Sequence, residues 1–136
     1  MTARARASSA KLIYLSIILL LIIQLANFLV VKYFPYSLNQ QIVFGLIGSN
    51  FIAYFVSLVV LILLIFCYWK KIIRLEFSLL ASGLISNLID RAIYGGVVDY
   101  FSLFFIPKFN LADILIVAGA LIIVTKIVKS NNKKSE

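Results

Sequence analysis

The chain has 136 residues, of which 63% are hydrophobic and 13% charged, and its formal net charge is +8. Soluble domains contain about twice as many charged residues, so this composition excludes an ordinary soluble protein. The basic residues lie at the ends of apolar runs and form no stripe on a polar module, which argues against nucleic-acid binding. Histidine is absent and Cys67 is the single cysteine, which excludes an internal disulfide and a zinc site.

Four apolar segments follow one another along the chain. They cover residues 12–31, 51–69, 75–94 and 110–128. Each is close to the length of about 20 residues that an α-helix needs to cross a bilayer. The sequence therefore predicts an all-α membrane protein with four transmembrane helices. They form a single domain, residues 1–129, followed by a polar cytoplasmic tail, residues 130–136.

The distribution of basic residues predicts how the segments are oriented. Ten of the 13 lysine and arginine residues lie in the N-terminal arm, in the connection between the second and third segments, or at the C-terminal end. Because basic residues favour the cytoplasmic side, both termini are expected there. The two remaining connections, residues 32–50 and 95–109, are then on the outer side, and both contain clustered aromatic residues typical of the membrane interface.

All three aspartates of the chain, Asp90, Asp99 and Asp113, lie in or beside the third and fourth segments. A carboxylate near the bilayer core costs several kcal/mol unless it is paired or solvated, so such groups indicate a functional site. The topology brings the three to the outer face, where Asp99 and Asp113 can meet. Two carboxyls that share one site divide into an acid and a base, which suits activation of water. Without histidine, a Ser-His or Cys-His arrangement is excluded.

Polar neighbours of these aspartates occur at helical spacing. Asn87, Asp90 and Arg91 fall at i, i+3 and i+4 on one helix face, and Asn110 and Asp113 repeat the i, i+3 spacing. The asparagines are candidates for holding the aspartates in place. An ion pair with Arg91 would keep Asp90 ionised and give it a structural role.

Structural interpretations remain open for each feature taken alone. Asn110 and Asp113 also match a helix start, with Asn110 as the N-cap and Asp113 in the first turn. Asp99 also matches a solvated loop residue. The glycines Gly83 and Gly119 are expected at positions where helices pack closely.

Three motifs in order resemble a known family. Residues 87–91 read N-L-I-D-R and resemble its G-N-x-x-D-R motif, residues 97–101 read V-V-D-Y-F and resemble V-x-D-F, and residues 109–113 read F-N-L-A-D and resemble F-N-x-A-D. The chain is similar in these motifs to prolipoprotein signal peptidase, the signal peptidase II family of bacterial inner membranes.

The resemblance implies roles for particular residues. Asp99 and Asp113 would be the catalytic dyad of an aspartic endopeptidase. Supporting polar residues would be Asn87, Asp90, Arg91 and Asn110. A small outer-face loop or β-like cradle between the first and second helices would contact substrate, and its candidate residues are Asn39, Phe44 and Gly45. The short connection between the aspartates predicts only a small flap.

The resemblance also implies a substrate and a location. The substrate would be the signal peptide of a diacylglyceryl-modified prolipoprotein, cut just before the lipidated cysteine, at a site near the outer face of the bacterial inner membrane. Membrane lipids would be the other partners, and no cofactor, metal, nucleic acid or obligate protein partner is implied. Two alternatives stay open: a non-catalytic relative of the family, and a small proton-coupled membrane transporter.

The chain departs from the family pattern at several positions. Ser86 stands where the family has the glycine that begins its first motif, and Gln41 replaces the glycine of an N-x-G-x-x-F-G pattern in the outer connection. Ile23 and Asn27 occupy the places of a D-x-x-x-K pattern in the first helix. A divergent or specialised member is therefore expected.

Overall fold

The structure is a computed structural model that describes residues 3–40, 50–69 and 75–132. The expected cradle residues Phe44 and Gly45, together with Gln41, lie outside the described residues. The roles predicted for Phe44 and Gly45 therefore stay predictions.

Four helices correspond to the four predicted segments: α1 (Ala3–Tyr33), α2 (Asn50–Trp69), α3 (Leu75–Tyr94) and α4 (Leu111–Asn132). The predominantly helical architecture is confirmed. Helix α4 continues through Asn132, so the first residues of the expected tail are helical.

Three of the helices are long and apolar enough to cross a membrane. The candidate spans in the described residues are Ala10–Tyr33 in α1, Ile52–Trp69 in α2 and Leu111–Asn132 in α4. Helix α3 has 20 residues, which gives it a length of about 30 Å, but polar residues interrupt its apolar character. Its membrane crossing, and therefore the four-span count, stays a prediction.

Helix α3 lies at the centre of the bundle and contacts α1, α2 and α4. Its buried side chains are mostly polar, whereas the outer faces of the other three helices expose leucine, isoleucine, valine and phenylalanine. In a bilayer, apolar faces gain nothing by leaving lipid, so polar contacts and small residues hold helices together. The interior of this bundle follows that pattern.

Two glycines allow α3 and α4 to approach closely. A Cβ atom placed on Gly83 would lie 2.6 Å from the carbonyl oxygen of Ala112, and one on Gly119 would lie 2.8 Å from Cγ of Leu80. Only a hydrogen at these positions lets the two helices pack at this distance. The prediction that both glycines are packing positions is confirmed.

Polar contacts also hold α3 against α1 and α4. The Ser78 hydroxyl on α3 donates to the carbonyl oxygen of Leu12 on α1 at 2.8 Å. At the start of α3, the buried carboxylate of Glu76 forms an ion pair with Lys126 of α4. These contacts fix the rotation and height of α3 relative to its neighbours, and therefore the position of the polar residues at its C-terminal end.

A short two-stranded sheet lies beyond the C-terminal ends of α1 and α3. Strand β1 (Ser37–Asn39) pairs antiparallel with β2 (Val97–Asp99), so that Ser37 lies opposite Asp99. Gly95 has a φ of +76° and turns the chain out of α3, a conformation that glycine adopts without strain. A Cβ on Gly96 would lie 3.2 Å from the carbonyl oxygen of Asn39, so this position also favours glycine.

The connection between β2 and α4 is a second two-stranded unit. Strand β3 (Phe101–Leu103) pairs antiparallel with β4 (Ile106–Phe109), and Phe101 lies opposite Phe109. The sequence predicted only a small flap here, and the structure shows an ordered β-hairpin. Both sheets lie at the same end of the bundle as the three aspartates.

Candidate active site

A buried polar cluster forms where the C-terminal end of α3, strand β2 and the start of α4 meet. Asn110 is fully buried, and Asp99 and Asn87 expose only 2% and 8% of their surfaces. Asp113 is half-buried at the edge of the cluster. The structure therefore gathers four polar side chains predicted from sequence into one site.

Two asparagines connect the two aspartates. The Asn110 side-chain amide donates to Oδ1 of Asp99 at 3.1 Å and to Oδ1 of Asn87 at 3.2 Å. The Asn87 amide in turn donates to Oδ1 of Asp113 at 3.0 Å. A continuous path of hydrogen bonds therefore runs from one carboxyl to the other and fixes their relative orientation.

Asp113 is also part of the N-terminal cap of α4. Its backbone N–H donates to Oδ1 of Asn110 at 3.0 Å, and the Asn110 backbone N–H donates to Oδ2 of Asp113 at 3.1 Å. This reciprocal pair is a capping box, which satisfies two otherwise free N–H groups. The helix-start interpretation is thus confirmed, and it is compatible with a chemical role because the cap holds the carboxyl in a fixed position.

Asp113 also opens onto an apolar groove. The groove has a volume of about 360 Å³ and lies against the outer face of α4. Its other lining residues are Ile106, Phe109, Ile114, Val117, Ala118 and Leu121. A ligand in this groove would have an apolar body and would present a polar group to Asp113.

Asp99 is more deeply buried, and both of its oxygens accept hydrogen bonds. Oδ1 accepts from Asn110, and Oδ2 accepts from the side-chain amide of Asn39 at 3.1 Å. The solvated-loop interpretation of Asp99 is therefore wrong. Burial raises the pKa of Asp99 to about 7; the hydrogen bond from Asn39 opposes this rise, and the nearby charge of Asp113 adds to it. At neutral pH this carboxyl therefore holds a proton in a large fraction of molecules.

Asp90 lies apart from this pair and joins three elements. Its Oδ2 accepts from the Asn27 amide at 2.8 Å and from the backbone N–H of Val98 at 3.3 Å, and its Oδ1 accepts from Gln24 at 3.2 Å. The predicted ion pair with Arg91 is not among the described contacts of Asp90. Asp90 therefore has a structural position that links α3 to α1 and β2.

Arg91 points toward the cluster by another route. Its Nη1 donates to the backbone carbonyl oxygen of Asn87 at 3.3 Å, and the side chain is buried. The guanidinium is thus close to the helix turn that supplies Asn87. The supporting role of Arg91 stays a prediction.

Two residues of α1 were not assigned to the site from sequence. Gln24 and Asn27 both donate to Asp90, and Gln24 also donates to the Ser86 hydroxyl at 2.9 Å. Their signal was present in the sequence, because they are polar interruptions of the first apolar segment and their i, i+3 spacing puts them on one helix face. Ser86 and Asn27, two departures from the family pattern, are therefore hydrogen-bonded parts of the same interior.

Tyr100 is a further residue that the sequence did not single out. Its hydroxyl oxygen accepts from the backbone N–H of Leu111, the first residue of α4, at 3.2 Å. Its own backbone N–H donates to the carbonyl oxygen of Phe109 at 3.1 Å. Burial raises the pKa of the Tyr100 hydroxyl, which therefore stays protonated at neutral pH. Tyr100 thus ties β2 and the hairpin to the start of α4.

Within residues 3–40, 50–69 and 75–132, no group of three or more acidic or cysteine side chains lies close enough together to hold a metal ion. The polar atoms of the cluster come from carboxyls, side-chain amides, a phenol and backbone N–H groups. Such a set can position water and exchange protons with it.

Comparison with known sequences gives consistent results. The family model described as "Signal peptidase (SPase) II" matches residues 11–129. A lipoprotein signal peptidase of Syntrophomonas wolfei is 35% identical over 96 residues, which cover 67% of this chain and 64% of that protein. One of Clostridium acetobutylicum is 43% identical over 70 residues, 48% of this chain and 46% of that protein. The chain thus matches about half to two thirds of the length of these relatives.

Two solved structures share the fold. Both are described as bacterial membrane enzymes. One superposes with a TM-score of 0.85 at 20% identity and covers 92% of each chain. The other has a TM-score of 0.77 at 19% identity and covers 88% of this chain and 94% of its own. The bundle and its two small sheets therefore belong to a membrane-protein fold already seen in bacteria.

Proposed function

Because the chain belongs to the signal peptidase II family, we propose that it is a membrane aspartic endopeptidase with Asp99 and Asp113 as its catalytic dyad. The proposed substrate is a diacylglyceryl-modified prolipoprotein, cleaved just before the lipidated cysteine. The relatives named lipoprotein signal peptidases support this substrate class. Asn87 and Asn110 are proposed to position the dyad.

The observation that carries the proposal is a pair of carboxyls in unlike environments, connected by hydrogen bonds through the side-chain amides of Asn87 and Asn110. Asp99 is almost fully buried and has a pKa of about 7, whereas Asp113 is half-buried and borders an open groove. Two coupled carboxyls at such a site titrate as a pair, with one proton shared between them over a range of pH. This state supplies an acid and a base at the same time.

The chemistry then assigns one role to each carboxyl. Asp113, at the N-terminus of α4 where the helix dipole favours a negative charge, accepts a proton from a water molecule. The water oxygen attacks the carbonyl carbon of the scissile peptide bond while Asp99 donates its proton to the carbonyl oxygen. The tetrahedral intermediate collapses when the C–N bond breaks and the leaving nitrogen takes the proton held by Asp113. The carbonyl re-forms and returns the other proton to Asp99.

The apolar groove beside Asp113 suits a substrate that arrives through the membrane. Ile114, Val117 and Leu121 follow one another along α4 below Asp113 at helical spacing, and each is exposed. A lipid-anchored peptide moves within the bilayer plane and would reach the dyad from the side. The site is therefore proposed to lie near the outer face of the bacterial inner membrane, in a four-span chain with cytoplasmic termini.

The test is processing of a lipid-modified precursor by the purified protein in lipid, followed by gel shift. Asp99→Asn and Asp113→Asn are each expected to abolish cleavage, because an amide can neither accept nor release the required proton. Glu136→Gln is the matched control, since it makes the same carboxyl-to-amide change at a position far in sequence from every residue of the proposed site. It is expected to retain cleavage. Cleavage at the wild-type rate by either aspartate variant would refute the dyad.

A separate measurement tests the location. In a Cys67→Ser background, Ser102→Cys places a single thiol on the hairpin, where Ser102 is exposed. A membrane-impermeant maleimide is expected to label this thiol in spheroplasts, in which the layers outside the inner membrane have been removed and the inner membrane is intact. Labelling only in inverted membrane vesicles would reverse the proposed orientation.

A further inference from the structure

The hairpin of β3 and β4 ends in two fully exposed aromatic residues. Phe104 and Phe105 form its turn and have relative exposures of 102% and 100%. No other large hydrophobic residue whose side chain the structure describes is as exposed as these two. Two adjacent phenylalanines with no protein contact on their surfaces indicate a partner outside the folded chain.

The rest of the hairpin is amphipathic. Side chains alternate across a strand, so Phe101 and Leu103 share one face and Ser102 lies on the other. Phe101 is paired across the hairpin with Phe109, and their ring centroids are 5.5 Å apart. A register shift separates this pair from the Leu103–Ile106 pair, so that Pro107 and Lys108 together lie opposite Ser102, on the other face from Phe109. The hairpin thus has an apolar face, a polar face and an aromatic tip.

The apolar face continues into the outer face of α4. Ile106 and Phe109 of the hairpin line the same groove as Ile114, Val117 and Leu121 of the helix. Helix α4 is one of the three candidate membrane spans, so its outer apolar face is expected to contact lipid. A surface continuous with it belongs to the same environment.

We propose that the β3–β4 hairpin is a membrane-interface anchor that inserts into the phospholipid bilayer beside α4. Phe104, Phe105 and the apolar face enter the acyl region, while Ser102 and Lys108 face the headgroups. The Lys108 ammonium group can reach lipid phosphates while its apolar stem stays among the side chains. The partner surface is the bilayer itself, and the anchor does not depend on any substrate.

The anchor would fix the depth of the candidate dyad. The hairpin begins two residues after Asp99 and ends directly before Asn110, and the Tyr100 backbone N–H donates to Phe109 across its base. A change in hairpin depth would therefore move both ends of the hydrogen-bonded path that joins the two carboxyls. Insertion at a constant depth would keep that path at a constant height relative to the lipid headgroups.

The test uses the single tryptophan of the chain, Trp69, as a reporter that can be moved. In a Trp69→Phe background, Phe104→Trp or Phe105→Trp places one indole at the hairpin tip. The full-length protein is reconstituted into vesicles of phosphatidylcholine and phosphatidylglycerol carrying bromine at defined acyl positions, with no substrate present. We expect blue-shifted emission that brominated acyl chains quench strongly and aqueous iodide quenches weakly.

The matched control is Ser102→Trp in the same background, on the polar face of the hairpin. Its emission is expected to be quenched more by iodide and less by the brominated chains than that of the tip variants. Equal access of iodide to all three positions, with no quenching of the tip by brominated lipid, would overturn the proposal. A tip that becomes shielded only when a precursor peptide is added would equally overturn it, because the hairpin would then be a substrate flap. None of these outcomes depends on peptide cleavage, so they are independent of the proposed dyad.

Discussion

Asn39→Ala tests the proton assignment within the dyad. The Asn39 amide donates to Oδ2 of Asp99 at 3.1 Å and favours the ionised carboxyl, so its removal raises the pKa of Asp99 above about 7. The assigned mechanism requires Asp99 to be protonated, and activity is lost as pH rises through that pKa. The high-pH limb of the kcat/KM profile is therefore expected to move to higher pH.

The size of the shift follows from the contact. A hydrogen bond to a charged group contributes about 1.5–3 kcal/mol, and the lower end applies because Asn39 is half-buried and water can replace its amide. Since one pKa unit corresponds to about 1.4 kcal/mol, the limb should move by about one unit. The profile is measured with a lipid-modified peptide whose cleavage releases a fluorophore.

Ser37→Ala is the control for this prediction. Ser37 lies on the same strand, and its hydroxyl donates to the backbone carbonyl oxygen of Asp99 at 3.4 Å, so the change disturbs the strand pairing without altering contacts of the carboxyl. Its high-pH limb should stay in place. A limb that stays fixed or moves to lower pH in Asn39→Ala would refute the assignment of Asp99 as the proton donor.

Three further predictions concern stability and positioning. Asn27→Leu removes a 2.8 Å hydrogen bond to the fully buried carboxylate of Asp90. It is expected to lower the free energy of unfolding, measured in detergent, by about 1–3 kcal/mol, and an unchanged unfolding transition would contradict the buried contact. Gly83→Ala places a methyl group against the carbonyl oxygen of Ala112. The variant should lose about 1–3 kcal/mol of unfolding free energy and should be less active, because α3 and α4 must move apart. A variant with wild-type stability would show that the helices are not closely packed there. Tyr100→Phe removes the acceptor for the first N–H of α4. The variant should lose about 0.5–1.5 kcal/mol of unfolding free energy, and its kcat should fall by a larger factor than its KM rises. An equal effect on both would argue against a positioning role.

The sequence was sufficient to predict the helices and several polar residues of the candidate site. The apolar segments are long, and their boundaries are marked by basic and aromatic residues, so each predicted segment matches a helix, and only Asn110 lies outside one. The i, i+3 spacing of Asn110 and Asp113 predicted both the cap of α4 and the position of its carboxyl. These features depend on neighbours within a few residues, and local chemistry determines them.

The remaining features depend on contacts between distant parts of the chain. Asn39 meets Asp99 through a pairing of two three-residue strands that are far apart in sequence, which no short-range pattern indicates. The partners of Asp90 depend on how α1 is rotated against α3, so Gln24 and Asn27 were visible only as polar interruptions. The hairpin was also missed, because its strands are short and its apolar residues face outward rather than toward a core.

The polar interior of α3 has a consequence for how this chain tolerates substitution. In a water-soluble protein, substitutions are tolerated on the polar surface and are destabilising in the hydrophobic core. Here Ser78, Ser82 and Ser86 are buried, whereas leucines and isoleucines are exposed on the perimeter of the bundle. A saturation mutagenesis scan should therefore find that exchanges among leucine, isoleucine and valine on the perimeter have almost no effect on stability. Replacement of a single buried serine should be destabilising. Selection for function would conserve the small polar residues of this sequence and allow its exposed aliphatic residues to vary.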